Sequence, residues 1–153
     1  MKLAQLNIAL AKYPLDSSEL KDFMDNLELV NGIAEQSEGF VWRLKDEAGD
    51  ATNIKLFDDP NMIINMSVWD SVDALKDFMF RTLHREFMRR KGEWFHRLPT
   101  DSYVLWWIED DHTPTAEEAL ARLNHLREKG DSPQAFTFKT NYTAEEAHAN
   151  QPV

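Results

Sequence analysis

Asn65, Ser67 and Trp69 stand two residues apart, and in an extended strand that spacing puts all three on one face. Met62, Ile64, Met66 and Val68 would fill the opposite face, and all four are apolar. Near the N-terminus Asn7 shares the same kind of alternation with Gln5. A few amide and hydroxyl groups among hydrophobes is the composition of a small-molecule pocket. They could equally do no more than satisfy neighbouring polar groups, the ordinary business of a buried Asn. Trp69, at a strand end, could equally be plain core.

His84 lies four residues after Phe80 and four before Met88, so the three share a helical stripe. A neutral imidazole there could ligate iron, shuttle a proton or fill a packing gap. His96, His112, His125 and His148 have no partners at metal-ligand spacing, and His112, next to Asp110 and Asp111, reads as part of a solvated loop. Between Arg81 and Arg97 six cations face two acids, a local excess in a chain whose net charge is −10. Arg81, Arg85 and Arg89 align at helical spacing. They form either a solvated face that pairs with acids such as Asp77, or an electropositive mouth for a small carboxylate or phosphate. Several signatures are absent: no Gly-rich phosphate loop, no G-x-S-x-G elbow, no H-E-x-x-H, no calcium loop. Phosphoryl transfer, serine hydrolysis and Rossmann-type hydride transfer are disfavoured.

The bulk properties set the frame. A chain of 153 residues with 42% hydrophobic and 11% aromatic residues can build one core, and global disorder is not expected. The acidic balance argues against nucleic acid and against anionic membranes. No run approaches a membrane span, and the N-terminal stretch lacks a signal-peptide core. Without cysteine there is no disulfide framework and no thiolate site. A cytoplasmic protein is expected.

The elements that must position these residues follow from periodicity. Strands are predicted over Leu3–Leu10, Phe40–Leu44, Met62–Trp69 and Tyr103–Ile108. Helices are predicted through Leu20, Phe23, Leu27 and Val30, through Val72, Leu75 and Met79 after a Ser71 cap, and through Ala119, Leu123 and Leu126 after a Thr115–Glu118 capping box. The second helix could reach Trp94 or break near Thr82. A short edge strand around Ile54–Phe57 and a last short strand over Ala135–Lys139 are further expectations. The order βαββαβ, with one helix and a short strand appended, is the split βαβ, ferredoxin-like pattern of an α+β fold with an antiparallel sheet. Residues 1–139 make the single domain, and 140–153 an acidic, flexible tail.

The last strand is apolar on both faces, with Tyr103, Leu105 and Trp107 opposite Val104, Trp106 and Ile108. The second strand sets Phe40, Trp42 and Leu44 opposite Val41 and Arg43. A patch of that size needs cover, and a second copy of the sheet is the simplest cover because a two-fold contact uses one self-complementary surface. A homodimer through the sheet face is therefore expected.

The element order, the turn Glu38-Gly39-Phe40, the run Asn65-Met66-Ser67-Val68-Trp69-Asp70-Ser71-Val72-Asp73-Ala74-Leu75 and the strands Phe40-Val41-Trp42-Arg43-Leu44 and Val104-Leu105-Trp106-Trp107 together resemble an uncharacterised family of the dimeric α/β-barrel superfamily, related to antibiotic-biosynthesis-monooxygenase-like proteins. The resemblance covers about residues 3–139. It implies a small-molecule-binding barrel, and a cofactor-independent monooxygenase-like reaction on an aromatic or polyketide-like substrate. It also implies catalytic roles for Asn65, Trp69 and His84, with Asn7, Trp42, Arg43, Phe80, Arg85 and Trp94 around a small, anionic organic ligand. In such a reaction the bound aromatic loses a proton and hands an electron to oxygen, with Asn side chains and Arg43 or Arg85 holding the anion. The related haem-degrading branch implies haem instead, with Asn7, Trp69 and His84 as the set and His84 as axial ligand, although His84 falls about a helical turn beyond that branch's ligand position. The third reading is a non-catalytic binding protein.

Overall fold

A computed structural model describes residues 1–45, 57 and 59–149. In chain order the elements are β1 (Lys2–Ala11), α1 (Lys21–Gln36), β2 (Phe40–Arg43), β3 (Met62–Trp69), α2 (Val72–Arg81), α3 (His84–Trp94), β4 (Phe95–His96), β5 (Tyr103–Ile108), α4 (Ala116–Lys129) and α5 (Ala144–Ala149). The strands form one antiparallel sheet in the order β2-β3-β1-β5, with the two-residue β4 beside the end of β1. This is the ferredoxin-like order, so the α+β class and the βαββαβ pattern hold.

Local chemistry starts and stops the helices where it should. Ser71 Oγ accepts from the Ala74 N–H at 3.1 Å and opens α2, and Thr115 Oγ1 accepts from the Glu118 N–H at 3.1 Å and opens α4. Gly130, at φ 74°, closes α4. Thr82 adopts an extended backbone, donates its hydroxyl to Phe78 O and accepts from the His84 N–H, so the second helix breaks there. Gly39 sits at φ 83°, and a Cβ on it would lie 2.5 Å from Ala74 Cβ. Only glycine lets the β2 turn pass so close to α2.

Each face of the sheet has its own cover. On one side α1, α2 and α3 pack over Leu3, Trp69, Leu105, Ala11 and Ile63. On the other, α4 lays Ala119, Leu123 and Leu126 over Ala4, Leu6, Met66, Val68, Val104 and Trp106. Leu6, Val104 and Trp106 have no exposed surface. The helix is fastened at both ends: Trp106 Nε1 donates to Glu118 Oε2 at 3.0 Å, and Arg127 donates twice to Asp101 O, at 3.0 and 2.8 Å. Each Leu so buried contributes about 1.5–3 kcal/mol. The expectation that a second copy must cover this face loses its physical reason, because the chain's own appended helix does so.

Two expectations on alternation also change. A β-bulge between Phe40 and Trp42 shifts the β2 register, so that Phe40 stands by Trp69 on the α1/α2 side while Trp42 packs on the α4 side. The two rings do not share a face. The strand expected over Ala135–Lys139 shrinks to a bridge in which Phe136 and Leu105 exchange backbone hydrogen bonds at 2.8 and 2.9 Å. The edge strand expected near Ile54 lies outside the described residues apart from Phe57, which packs on the α4-side cluster. Beyond Lys139, Trp107 Nε1 donates to Tyr142 O at 2.8 Å, and α5 buries Ala147. Among the described residues no helix is long and apolar enough to cross a membrane.

Candidate functional site

Strand register lines up the polar residues on the α1/α2 side. Asn7 stands opposite Asn65 on one flank and Tyr103 on the other. One step along, Gln5 stands between Ser67 and Leu105, and one step further Leu3 lies between Trp69 and Trp107. Asn7 and Asn65 are exposed and Tyr103 is half-buried, although β1 and β3 are the inner strands of the sheet. The cause is that apolar packing on this side splits in two. One cluster gathers Leu3, Trp69, Leu75, Phe78 and Leu105, and the other Ala11, Leu20, Phe23, Ile63 and Trp94. The row Asn65–Asn7–Tyr103 falls between them as a solvent-open polar floor.

Gln5 sets the orientation of that floor. Its Nε2 donates to Asn65 Oδ1 and to Ser67 Oγ, at 2.7 Å each, and Gln5 itself is only 8% exposed. With Oδ1 engaged by Gln5, the amide N–H donors are the polar atoms this exposed side chain has left for a ligand. Tyr103 leads to an aromatic wall: its hydroxyl accepts from the Phe138 N–H at 3.2 Å, its ring centroid is 5.6 Å from that of Phe138, and Phe138 lies 6.3 Å from the exposed Phe80. Lys76 Nζ sits 5.4 Å from the centre of the Phe138 ring. Donors on the floor and rings at one side suit a planar molecule carrying an oxygen.

The other expected residues divide. Trp69 has no exposed surface; it stacks on Phe78 at 5.2 Å, meets Phe40 edge-on at 5.4 Å and donates Nε1 to Ser67 Oγ at 2.8 Å. It holds the core and cannot pack on a ligand in this arrangement. His84 touches Phe78, with ring centroids 5.0 Å apart, and its Nδ1 is buried without a partner. Burial holds its pKa below the usual 6.5, against an opposing hydrogen bond that the ring donates to the Met79 backbone carbonyl, and favours the neutral ring. Trp94 is core, packed among Phe23, Phe87 and Phe95 beneath Arg90. Trp42 lies on the other side of the sheet. Arg43 is committed to Glu35, Nε to Oε1 at 2.7 Å, and Arg85 is exposed on α3.

The basic stripe is paired with acids at most of its members, Arg85 having no acid partner among the described residues. Arg81 pairs with Asp77, Arg89 with Glu86, and Arg90 with both Glu93 and Asp22. A haem site does not fit: the indole that should face the ring is sealed in the core, and the free nitrogen of the expected axial ligand is enclosed. Gln5 and Tyr103 are the members that sequence reasoning left unassigned. Gln5 shares the face of Asn7 by alternation along β1, which was the available signal, whereas Tyr103 is brought beside Asn7 only by the register of β5.

No curated protein matches the chain. Among solved structures it is similar to the NE2512 protein of unknown function from Nitrosomonas europaea, at 13% identity and TM-score 0.49, covering 75% of this chain and 96% of that one. It is also similar to a candidate antibiotic biosynthesis monooxygenase from Chloroflexus aurantiacus J-10-fl, at 14% identity and TM-score 0.44, covering 74% and 98%. At these values neither bears on this chain's chemistry. The family model described as a domain of unknown function, DUF3291, matches residues 2–152, and the chain belongs to that family.

Proposed function

We propose that this protein binds a small planar organic molecule over Asn65, Asn7 and Tyr103, and that it promotes oxidation of that molecule by dioxygen without a bound cofactor. One observation carries the reading: the exposed Asn65 is held through Oδ1 by the buried Gln5, which leaves its N–H donors for a ligand. Fixed donors of this kind stabilise an oxyanion without reorganising when charge develops. An oxidisable hydroquinone or anthrone that gives its proton to solvent over the open floor becomes an electron-rich anion that passes its electrons to dioxygen. A hydroquinone leaves as the quinone with hydrogen peroxide, and an anthrone as the anthraquinone with water. The family resemblance stated above supports the reaction class, with Asn65 rather than Trp69 as the residue that meets substrate.

The test is aerobic incubation of the purified protein with a panel of hydroquinones and anthrones, with oxygen uptake recorded. Uptake above a buffer blank, reduced at least tenfold in Asn65→Ala, is expected. Uptake equal to the blank across the panel would count against the reaction while leaving binding to be measured separately.

A further inference from the structure

We propose that Asn31 of α1 is a second ligand-contacting residue of the Asn65 site, resting on the binding proposed above. It selects aromatic ligands that carry a hydroxyl besides the oxygen held by Asn65. Asn31 is only 8% exposed, yet among the described residues nothing hydrogen-bonds to its side chain. Nor is the amide sealed: among the described residues, only His84 Nδ1 is a side-chain polar atom both fully enclosed and unpartnered. What surface Asn31 keeps therefore includes its amide. An unpaired amide on a buried helix face costs stability, and its presence points to a partner from outside the chain.

Register places Asn31 over the polar row. α1 runs alongside β3 in the same direction: Leu20 and Phe23 pack in one cluster with Ile63, and Val30 and Ala34, further along, pack in the other with Trp69. Arg43 stands opposite Ser67 in the β2–β3 ladder and joins Glu35 of α1, Nε to Oε1 at 2.7 Å. Glu35 is thereby tied to the Ser67 row. Asn31 lies one helical turn before Glu35 on the same helix face, a step of about 5.4 Å. Asn65 lies two residues before Ser67 on the same strand face, a step of about 6.6 Å. Both steps go the same way, so Asn31 on the helix and Asn65 on the sheet come level.

The two amides ask for different groups. Asn65 Oδ1 is occupied by Gln5 Nε2, so Asn65 offers donors and suits a ligand oxygen that accepts. Asn31 has both its oxygen and its N–H groups free, and a hydroxyl, which donates and accepts, matches it. The neighbouring charge does not compete for that hydroxyl, because Glu35 is engaged by Arg43. A ring with two hydroxyls meets both amides, and a ring with one meets only one of them.

The test uses ¹⁵N-labelled full-length protein without oxygen, with 1,4-dihydroxynaphthalene and 1-naphthol as probes. The diol is expected to shift the side-chain amide resonances of both Asn31 and Asn65 saturably, and to bind at least about tenfold more tightly than 1-naphthol. Asn31→Leu replaces the amide by an apolar group of similar size. It should leave the urea midpoint unchanged or raise it, and bring the two affinities within about twofold of each other. Asn65→Ala should weaken both probes. Four results would overturn the role of Asn31 while binding at Asn65 stands: an Asn31 amide that stays fixed as that of Asn65 shifts, equal affinity for the two probes, equal weakening of both by Asn31→Leu, or a lowered midpoint in that variant. No saturable shift at either amide would overturn both.

Discussion

The indole N–H of Trp69 ends on the hydroxyl of Ser67, 2.8 Å away, and that same oxygen receives the Gln5 amide at 2.7 Å. One small side chain therefore satisfies two buried donors, one from the core and one from the group that orients Asn65. Ser67→Ala should strand both and lower stability by about 2 kcal/mol. Urea denaturation of the two proteins checks this; a loss within the error of the wild-type midpoint would show that the hydroxyl is dispensable.

Gly39 combines a positive φ with a Cβ position 2.5 Å from Ala74 Cβ. Gly39→Ala should therefore cost about 1–3 kcal/mol from backbone strain and overlap together. The companion Gly92→Ala, in α3 with open space at its Cβ, should be neutral or slightly stabilising. Thermal melts of the pair, side by side, separate local strain from a general intolerance of alanine.

Leu123 has no exposed surface and belongs to the cluster that joins α4 to the sheet. Leu123→Ala should cost about 2–5 kcal/mol, the range for deleting a fully enclosed Leu side chain. A cost under about 1 kcal/mol would mean that α4 packs loosely, and the case for a partner over this face would return.

The sequence made the sheet legible because its strands alternate cleanly: Met62–Trp69 and Tyr103–Ile108 appear with the bounds expected of them. The bulge in β2 was not legible, since it is a relation between two strands rather than a pattern in one. Nor was the destination of α4. The spacing of Ala119, Leu123 and Leu126 says that one face is buried, not what it is buried against, and an expectation of pairing followed from leaving the sheet uncovered. For the site, alternation placed Asn7 and Asn65 on faces that register then brought opposite each other. It could not say that Trp69, four residues from Asn65 on the same face, would be sealed while Asn65 stayed open. That difference comes from where α2 lays Phe78.

His84 supplies a pH dependence with a definite sign. Burial lowers its pKa from 6.5 in the folded state, so the unfolded chain binds the proton more readily. Its contribution is intact above about pH 6.5 and is lost as pH falls from there toward the depressed folded value. His84→Gln, which carries no titrating ring, should flatten the decline in urea midpoint between neutral and mildly acidic pH. An unchanged slope in the variant would assign the acid sensitivity to other groups.

The open row of Asn65, Asn7 and Tyr103 is where a ligand must bind for the proposed activity, and the most direct measurement reads those side chains themselves. ¹⁵N-labelled protein, titrated without oxygen with 1,4-dihydroxynaphthalene, should show saturable shifts in the side-chain amide resonances of Asn7 and Asn65, and these should vanish in Asn65→Ala at the remaining Asn7 signal. Amide resonances that stay fixed while probe is added to its solubility limit would contradict it.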